Sequence, residues 1–134
     1  MSVLSHTERT LTQLDHIRLT RLLDRQAGNE VLQDVLAASD LVDSVAVPPD
    51  TATMYSRLLL VDPAGGAPYE LTLCYPRDAQ PAAGCVSVLS PVGMALLGLR
   101  VGSVARWQTP QGGAGCAQVL AVLFQPEASG DYLR

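Results

Sequence analysis

The first third of the chain has apolar residues at the spacing of amphipathic helices. Between Thr12 and Ala27-Gly28-Asn29, leucine and isoleucine recur at largely helical spacing, which predicts one helix. The Thr12 hydroxyl can cap this helix, and Asp15 lies near the positive end of its dipole. Apolar residues recur in the same way from Glu30 to about Val45, where a Pro-Pro pair follows. The pattern therefore predicts two helices joined by a tight turn, a short antiparallel hairpin.

Beyond residue 50 the apolar residues fall in short alternating or continuous runs, which are typical of strands. Turn-forming residues separate five such runs, at residues 53–61, 69–75, 85–89, 103–109 and 117–124. The last run is apolar on both faces from Val119 to Phe124, which indicates a central strand. Between the third and fourth runs, Ser90 and Pro91 predict the cap and first residue of a short helix that ends at Leu97. That helix is apolar nearly all round, so we expect it to lie buried on the sheet.

These elements together predict an α+β protein with two parts. A short helical hairpin, which we expect to form a coiled coil, covers residues 1–48. An antiparallel sheet domain with one short helix covers residues 49–134. The 134 residues are enough for one compact domain with an appendage, but not for two full domains.

Composition supports a folded protein and removes several functions. Hydrophobic residues make up 48% of the chain and charged residues 16%, which suits a globular core. All nine basic residues are arginine. Because lysine is absent from the sequence, a Walker-type phosphate loop and a Schiff-base lysine are both excluded.

The net charge of −4 is concentrated in the first 50 residues, which hold four arginines and eight acidic residues. The remaining residues hold five arginines and five acidic residues. An acidic front half argues against direct binding to a nucleic-acid backbone, which requires a basic surface. It suits contact with a basic protein surface.

The sequence also indicates a cellular compartment. No apolar run approaches the roughly 20 residues that span a bilayer, and the N-terminus lacks the apolar stretch of a signal peptide. The three cysteines, Cys74, Cys85 and Cys116, include no Cys-x-x-Cys pair. We therefore expect a cytoplasmic protein with reduced, buried thiols, and neither a membrane contact nor a cofactor.

Three acidic residues lie around the turn between the two predicted helices. Asp24 and Glu30 flank this turn, and Asp34 follows Glu30 by one helical turn. Paired carboxylates at a projecting tip could hold Mg²⁺ together with a partner's ligands. The favoured interpretation is a solubilising acidic tip, since Arg25 would weaken a metal site and acids stabilise a helix N-terminus. No metal site is therefore predicted.

Much of the chain resembles a known family. From Ser90 to Gly102, through the Thr109–Gly113 turn and the final apolar strand, the sequence is similar to the C-terminal domain of Gre transcript-cleavage factors. Three further stretches, at residues 14–23, 49–57 and 125–133, resemble the regulator-of-nucleoside-diphosphate-kinase family of bacteria. Together these stretches cover nearly the whole chain.

This resemblance implies an FKBP-like domain behind the helical hairpin, and RNA polymerase as the partner. Gre-like factors dock on the rim helices of the polymerase secondary channel through the surface around their Ser-Pro motif. Carried over to this sequence, that surface comprises Leu89, Ser90, Pro91, Val92 and Gly93. Contact with DNA would be indirect, through the polymerase.

The resemblance also implies a mechanism that depends on the length of the helices. Gre factors reach through the channel with a long coiled coil whose two tip acids hold a catalytic Mg²⁺. Here arms of roughly 13–16 residues extend only about 20–24 Å, so Asp24 and Glu30 would stop short of the active centre. The expected function is a non-catalytic transcription regulator that competes with Gre factors at the channel entrance. Its effect on the level of nucleoside diphosphate kinase would be indirect.

Two other functions remain open. An FKBP-like domain can be a prolyl isomerase or a binder of small ligands, with a pocket lined by aromatic residues. Only six aromatic residues are present to line such a pocket. Direct regulation of a kinase by binding it is the other alternative.

Overall fold

The computed structural model describes residues 8–25, 29–109 and 111–131, and within them it confirms an α+β fold. The three helices are α1 (Gln13–Arg25), α2 (Glu30–Ala38) and α3 (Pro91–Leu96). The strands are β1 (Thr10–Thr12), β2 (Asp40–Val42), β3 (Arg57–Val61), β4 (Tyr69–Cys74), β5 (Cys85–Ser87), β6 (Val104–Gln108) and β7 (Ala114–Phe124). None of the helices in these ranges is long and apolar enough to cross a membrane.

Five strands form one sheet in the order β5-β4-β3-β7-β6. β3 lies antiparallel to both β4 and β7, and β6 lies antiparallel to β7. β7 thus has a neighbour on each side, which confirms the central position that its two apolar faces predicted.

The expectation of a wholly antiparallel sheet is wrong at one edge, because β5 runs parallel to β4. The chain between these strands forms two short 3-10 turns, Pro76–Asp78 and Pro81–Ala83, which return it to the second half of β4. Thr72 then lies beside Cys85 in the register. The alternation of apolar residues does not carry strand direction, which the connection between the strands decides.

The second helix ends at Ala38, so the prediction that it continues to about Val45 is wrong. Ser39 has extended backbone angles (φ −84°, ψ 147°), and the chain then pairs in parallel with β1 as strand β2. The Asp40 N–H donates to the Arg9 carbonyl at 2.9 Å. Strand hydrogen bonds therefore replace helical ones here, and a short apolar run fits either structure.

Two buried clusters form the core. The first joins α1 and α2 to the sheet part of the chain and contains Leu11, Leu19, Leu32, Val35, Leu36, Met54, Leu73, Tyr75, Val88 and Leu97. The second lies between α3 and the sheet and contains Ala52, Leu58, Leu60, Leu71, Ala95, Leu96, Leu99, Ala105, Ala117 and Val119. The predicted burial of the short helix is thus confirmed. The first cluster includes residues from both sides of residue 48, and the division into two domains there stays a prediction.

The three thiols differ in burial. Cys74 is buried, as expected, whereas Cys85 and Cys116 are partly exposed, so the expectation is wrong for these two. Cys85 begins the edge strand β5. Cys116 lies on β7, opposite Arg106 of β6 and before the part of β7 that pairs with β3. Both positions lie near the rim of the sheet, where neighbouring elements cover less of the side chain.

Candidate functional site

The chain from Leu89 to Gly93, which we call the docking loop, leads into α3 through a capped turn. The Ser90 hydroxyl accepts a hydrogen bond from the Gly93 N–H at 3.1 Å and donates one to the Ser87 carbonyl at 2.6 Å. Pro91 occupies the first helical position. The predicted N-cap is therefore confirmed, and both bonds hold the loop in one conformation.

Gly93 allows α3 to pack closely against the chain that precedes the docking loop. A Cβ atom at this position would lie 2.1 Å from the Ser87 carbonyl oxygen and 3.0 Å from the Val88 Cα. Gly93 itself is buried. It therefore sets the shape of the loop, and its own atoms are not available to a partner.

The other four residues of the docking loop are half-buried. Leu89 packs against the first core cluster, and Val92 packs against the second. The Leu89 N–H also donates to the Ser87 hydroxyl at 3.0 Å. The loop thus rests on both clusters while part of each side chain faces solvent.

The opposite end of α3 holds the N-terminal segment. The Arg9 guanidinium Nη1 donates to the carbonyls of Met94 and Leu97, at 2.7 and 3.0 Å. The Thr10 N–H donates to the Gly98 carbonyl at 3.0 Å. Because α3 has six residues and is about 9 Å long, the base of the helical pair and the docking loop are fixed at a short distance from each other.

The three acids expected at the tip of the helical pair are all exposed. Asp24 lies in the last turn of α1, Glu30 is the first residue of α2, and Asp34 follows it by one turn. Asn29 caps α2, since its side-chain oxygen accepts the Leu32 N–H at 3.1 Å. The rest of the predicted stop, Ala27-Gly28, lies outside the described residues.

These acids do not assemble a metal centre with neighbouring side chains. Among residues 8–25, 29–109 and 111–131, the structure brings together no group of three or more histidine, cysteine or acidic side chains that could hold a metal ion. α1 and α2 contact each other, so the three exposed acids lie on one pair of packed helices.

Asp15 is the residue that sequence reasoning missed. Its side chain is buried, with only 2% of the residue exposed, and its carboxylate accepts the Met54 N–H at 3.2 Å. Burial raises the pKa of Asp15 to about 7, and the nearby charge of Glu127 adds to the increase, while the Met54 N–H, Arg18 and Thr12 oppose it. One signal was available in the sequence. Asp15 precedes the apolar Leu19 by four residues, so the two share a helix face.

A second polar contact lies beside Asp15. The Thr53 hydroxyl donates to the Glu127 carboxylate at 2.7 Å and lies 2.9 Å from the Ser56 hydroxyl. The Gln125 amide donates to the Pro48 and Thr51 carbonyls, both at 2.9 Å. Residues from the three stretches that carried the narrower family resemblance thus meet at one place in the fold.

A groove with aromatic side chains lies on the sheet. It measures about 410 Å³ and is lined by Tyr55, Arg57, Thr72 and Phe124. Tyr55 has a left-handed backbone (φ +66°), and its hydroxyl donates to Asp78 at 2.6 Å. Trp107 packs against the second core cluster and also lines a second groove, of about 370 Å³, together with Arg106 and Gln108. Both grooves are candidate sites for a small-ligand function.

Comparison with known proteins gives consistent likenesses. The family described as transcription elongation factor, GreA/GreB, C-terminal, matches residues 47–124. The regulator of nucleoside diphosphate kinase of Escherichia coli K12 is 36% identical over 128 residues, which are 92% of this chain and 94% of that protein. The corresponding protein of Shigella flexneri matches equally well.

Solved structures show the same similarity. The transcription elongation factor GreA/GreB from Nitrosomonas europaea superposes with a TM-score of 0.74 at 33% identity, over 87% of this chain and 98% of that one. The GreA factor homolog 1 (Gfh1) protein of Thermus thermophilus superposes with a TM-score of 0.50 at 23% identity, over 87% and 99%. The comparison with the Gfh1 protein shows a similarity of fold only.

Proposed function

We propose a function from the following premise: the chain belongs to the GreA/GreB family of transcription elongation factors and to the family of the regulators of nucleoside diphosphate kinase. The proposed function is that of a cytoplasmic transcription regulator that binds RNA polymerase. The proposed site on the polymerase is the rim of the secondary channel. In this position the protein competes with Gre-type factors, and its effect on nucleoside diphosphate kinase follows indirectly from altered transcription.

The docking loop is the observation that supports this proposal most strongly. Ser90 and Pro91 lie half-buried at the start of α3, and Leu89 and Val92, which are also half-buried, flank them. Hydrogen bonds within the turn fix the loop before a partner arrives, so little conformational entropy is lost on binding. An ordered loop with apolar side chains on both sides of Ser90 and Pro91 suits a protein partner.

The helical pair supports a role without catalysis. α1 has 13 residues and α2 has nine, so the two helices extend only about 20 and 14 Å. The second is shorter than the sequence predicts, which strengthens the expectation that the tip acids stop short of the polymerase active centre. The exposed carboxylates then serve to attract the protein to a basic surface at the channel mouth.

Binding of purified protein to core RNA polymerase tests the proposal, with and without a Gre factor as competitor. Mutually exclusive binding is expected. The double variant Pro91→Ala, Leu89→Asp should weaken binding, because it alters the fixed turn and places a charge at the contact. The matched control is Pro63→Ala, Leu123→Asp, which makes the same changes at exposed positions away from the docking loop.

Both double variants must keep the wild-type circular dichroism spectrum for this comparison. No binding of the wild type at micromolar concentration would discard the polymerase as the partner. Equal weakening by both double variants would discard the docking loop as the contact surface.

The names of the Escherichia coli and Shigella flexneri relatives motivate the second candidate, direct binding to a nucleoside diphosphate kinase. A pull-down of purified kinase by this protein tests it. The prolyl isomerase and small-ligand alternatives have two candidate sites, the groove lined by Trp107 and the groove beside Tyr55, where Arg57 is already paired with Glu70 at 3.7 Å. An isomerase assay on a proline peptide, with a rate above the uncatalysed one, would favour them.

A further inference from the structure

A buried polar cluster joins α1 to the sheet part of the chain and includes neither a residue of the docking loop nor a tip acid. We call Asp15, Thr53, Ser56 and Glu127 the polar joint. Asp15 and Ser56 are buried, and so is Thr53. Glu127 lies in the short 3-10 turn that follows β7 and is partly buried. The joint therefore connects three segments that are far apart in the sequence.

The first turn of α1 is fixed on two sides at Asp15. The backbone N–H of Asp15 donates to the Thr12 hydroxyl at 3.0 Å, and the carboxylate accepts the Met54 N–H at 3.2 Å. Leu19, one turn further along, is fully buried in the first core cluster with Met54. A directional bond and an apolar contact thus hold successive turns of the same helix face.

The segment that supplies the Met54 N–H is itself held in place. The Thr53 N–H donates to the Ser56 hydroxyl at 2.9 Å, and the Thr53 hydroxyl donates to Glu127 at 2.7 Å. Tyr55, which lies between them, has a left-handed backbone. Such a backbone persists only where its surroundings hold it, and these side-chain bonds supply part of that restraint.

A carboxyl group at the buried position of Asp15 costs free energy. Burial opposes its ionisation, and the nearby Glu127 has the same charge. An apolar side chain would pack there without that cost. The carboxylate contributes a defined orientation, because its hydrogen bond to one backbone N–H is directional and an apolar contact is not.

We infer that Asp15 and Glu127 are positioning residues, which fix the direction of α1 and α2 relative to the docking loop so that both parts can meet the polymerase together. The first half of this inference, that Asp15 and Glu127 fix the direction of α1 and α2, is independent of any partner. The second half, that this direction lets both parts meet the polymerase, rests on the proposed function. The two halves therefore need separate measurements.

The direction of the helices can be measured in the intact 14.2 kDa protein. Residual dipolar couplings of the backbone amides report the orientation of each N–H bond. In the wild type, one alignment tensor should fit the helices and the sheet. In Asp15→Ala the helical couplings should shrink while the sheet couplings stay unchanged. Asp15→Asn keeps an oxygen acceptor for the Met54 N–H and should restore the single tensor, and Gln13→Ala is the exposed control on the same helix.

Polymerase affinity is then measured for the same proteins. We expect binding about tenfold weaker for Asp15→Ala, as for the loss of one buried hydrogen bond. Asp15→Asn and Gln13→Ala should remain within about twofold of the wild type. If Asp15→Ala does not fold, Glu127→Ala removes the acceptor of Thr53 instead, and Glu127→Gln is its rescue.

Each outcome bears on a different half of the inference. Helical couplings that are unchanged in a folded Asp15→Ala or Glu127→Ala variant would overturn the polar joint as the determinant of direction. Altered couplings with wild-type polymerase affinity would overturn the positioning role. A wild-type protein that does not bind polymerase would overturn the proposed function and the positioning role with it, while the couplings would still decide the joint.

Discussion

At the scale of single residues, the buried carboxyl group of Asp15 makes the stability of the protein depend on pH. Its pKa is about 7 in the folded protein, because burial disfavours the charged form, against 3.8 as the ordinary value. The folded state thus binds the proton more tightly than the unfolded state. The contribution of protonated Asp15 to the stability of the folded state is complete below the ordinary pKa of this group, and it is lost as the pH rises through the pKa in the folded protein.

We therefore expect the free energy of unfolding to fall between pH 4 and pH 8 by up to about 4 kcal/mol from this group alone. Urea denaturation across that range, for the wild type and for Asp15→Asn, measures it. The difference between the two proteins isolates Asp15, because the other acidic residues titrate in both. A difference that stays constant over this pH range would contradict the expectation.

Gly93 gives a second prediction for a single residue. Gly93→Ala places a Cβ atom 2.1 Å from the Ser87 carbonyl oxygen, so α3 must move away from the chain before it. We expect a loss of about 2 kcal/mol in the free energy of unfolding, although alanine favours a helix over glycine. Gly113→Ala is the control, since its Cβ would meet only the Thr109 hydroxyl, at 3.2 Å. Equal stability of the two variants would refute the close packing.

Among these residues, the sequence predicts Ser90 and Pro91 well and Asp15 poorly. A capping serine followed by proline acts within one helical turn, so the neighbouring residues are enough to identify it. Asp15 looks like an ordinary acid of a first helical turn. Its role depends on the Met54 N–H, which lies 39 residues away in the chain.

At the scale of elements, α3 connects the docking loop with the base of the helical pair. The docking loop precedes its first turn, and the Arg9 guanidinium donates to the carbonyls of Met94 and Leu97 at its other end. Carbonyls in the last turn of a helix lack helical partners, and a cation is favoured beside them. Arg9 therefore stabilises both α3 and the attachment of β1.

Arg9→Ala should lower the free energy of unfolding by about 2 kcal/mol, because two hydrogen bonds from a charged donor are lost. Arg9→Lys should recover part of this loss. Arg21→Ala, at an exposed position of α1, is the control and should change stability by less than about 0.5 kcal/mol. Chemical denaturation compares the three variants. An Arg9→Ala protein as stable as the control would show that the contact to α3 contributes nothing.

At the scale of the whole molecule, the short helical pair predicts an absence of catalysis. We expect no stimulation of RNA cleavage in stalled polymerase complexes at saturating protein, because the 13 residues of α1 extend only about 20 Å. A Gre factor serves as the positive control, and Asp24→Ala should behave like the wild type. Robust cleavage that disappears in Asp24→Ala would contradict the model of a non-catalytic occupant.

The sequence by itself determined the features that depend on neighbouring residues: the starts of α1 and α3, the existence of the five sheet strands and the central position of β7. Periodicity and capping act over a few residues, so the local pattern contains them. Only the tertiary structure decided the parallel direction of β5, the end of α2 at Ala38 and the partners of Asp15 and Arg9. The hydrogen-bond partners of Asp15 and Arg9 lie 39 or more residues away in the chain. The direction of β5 and the end of α2 depend on the path of the chain between elements, which no local pattern encodes.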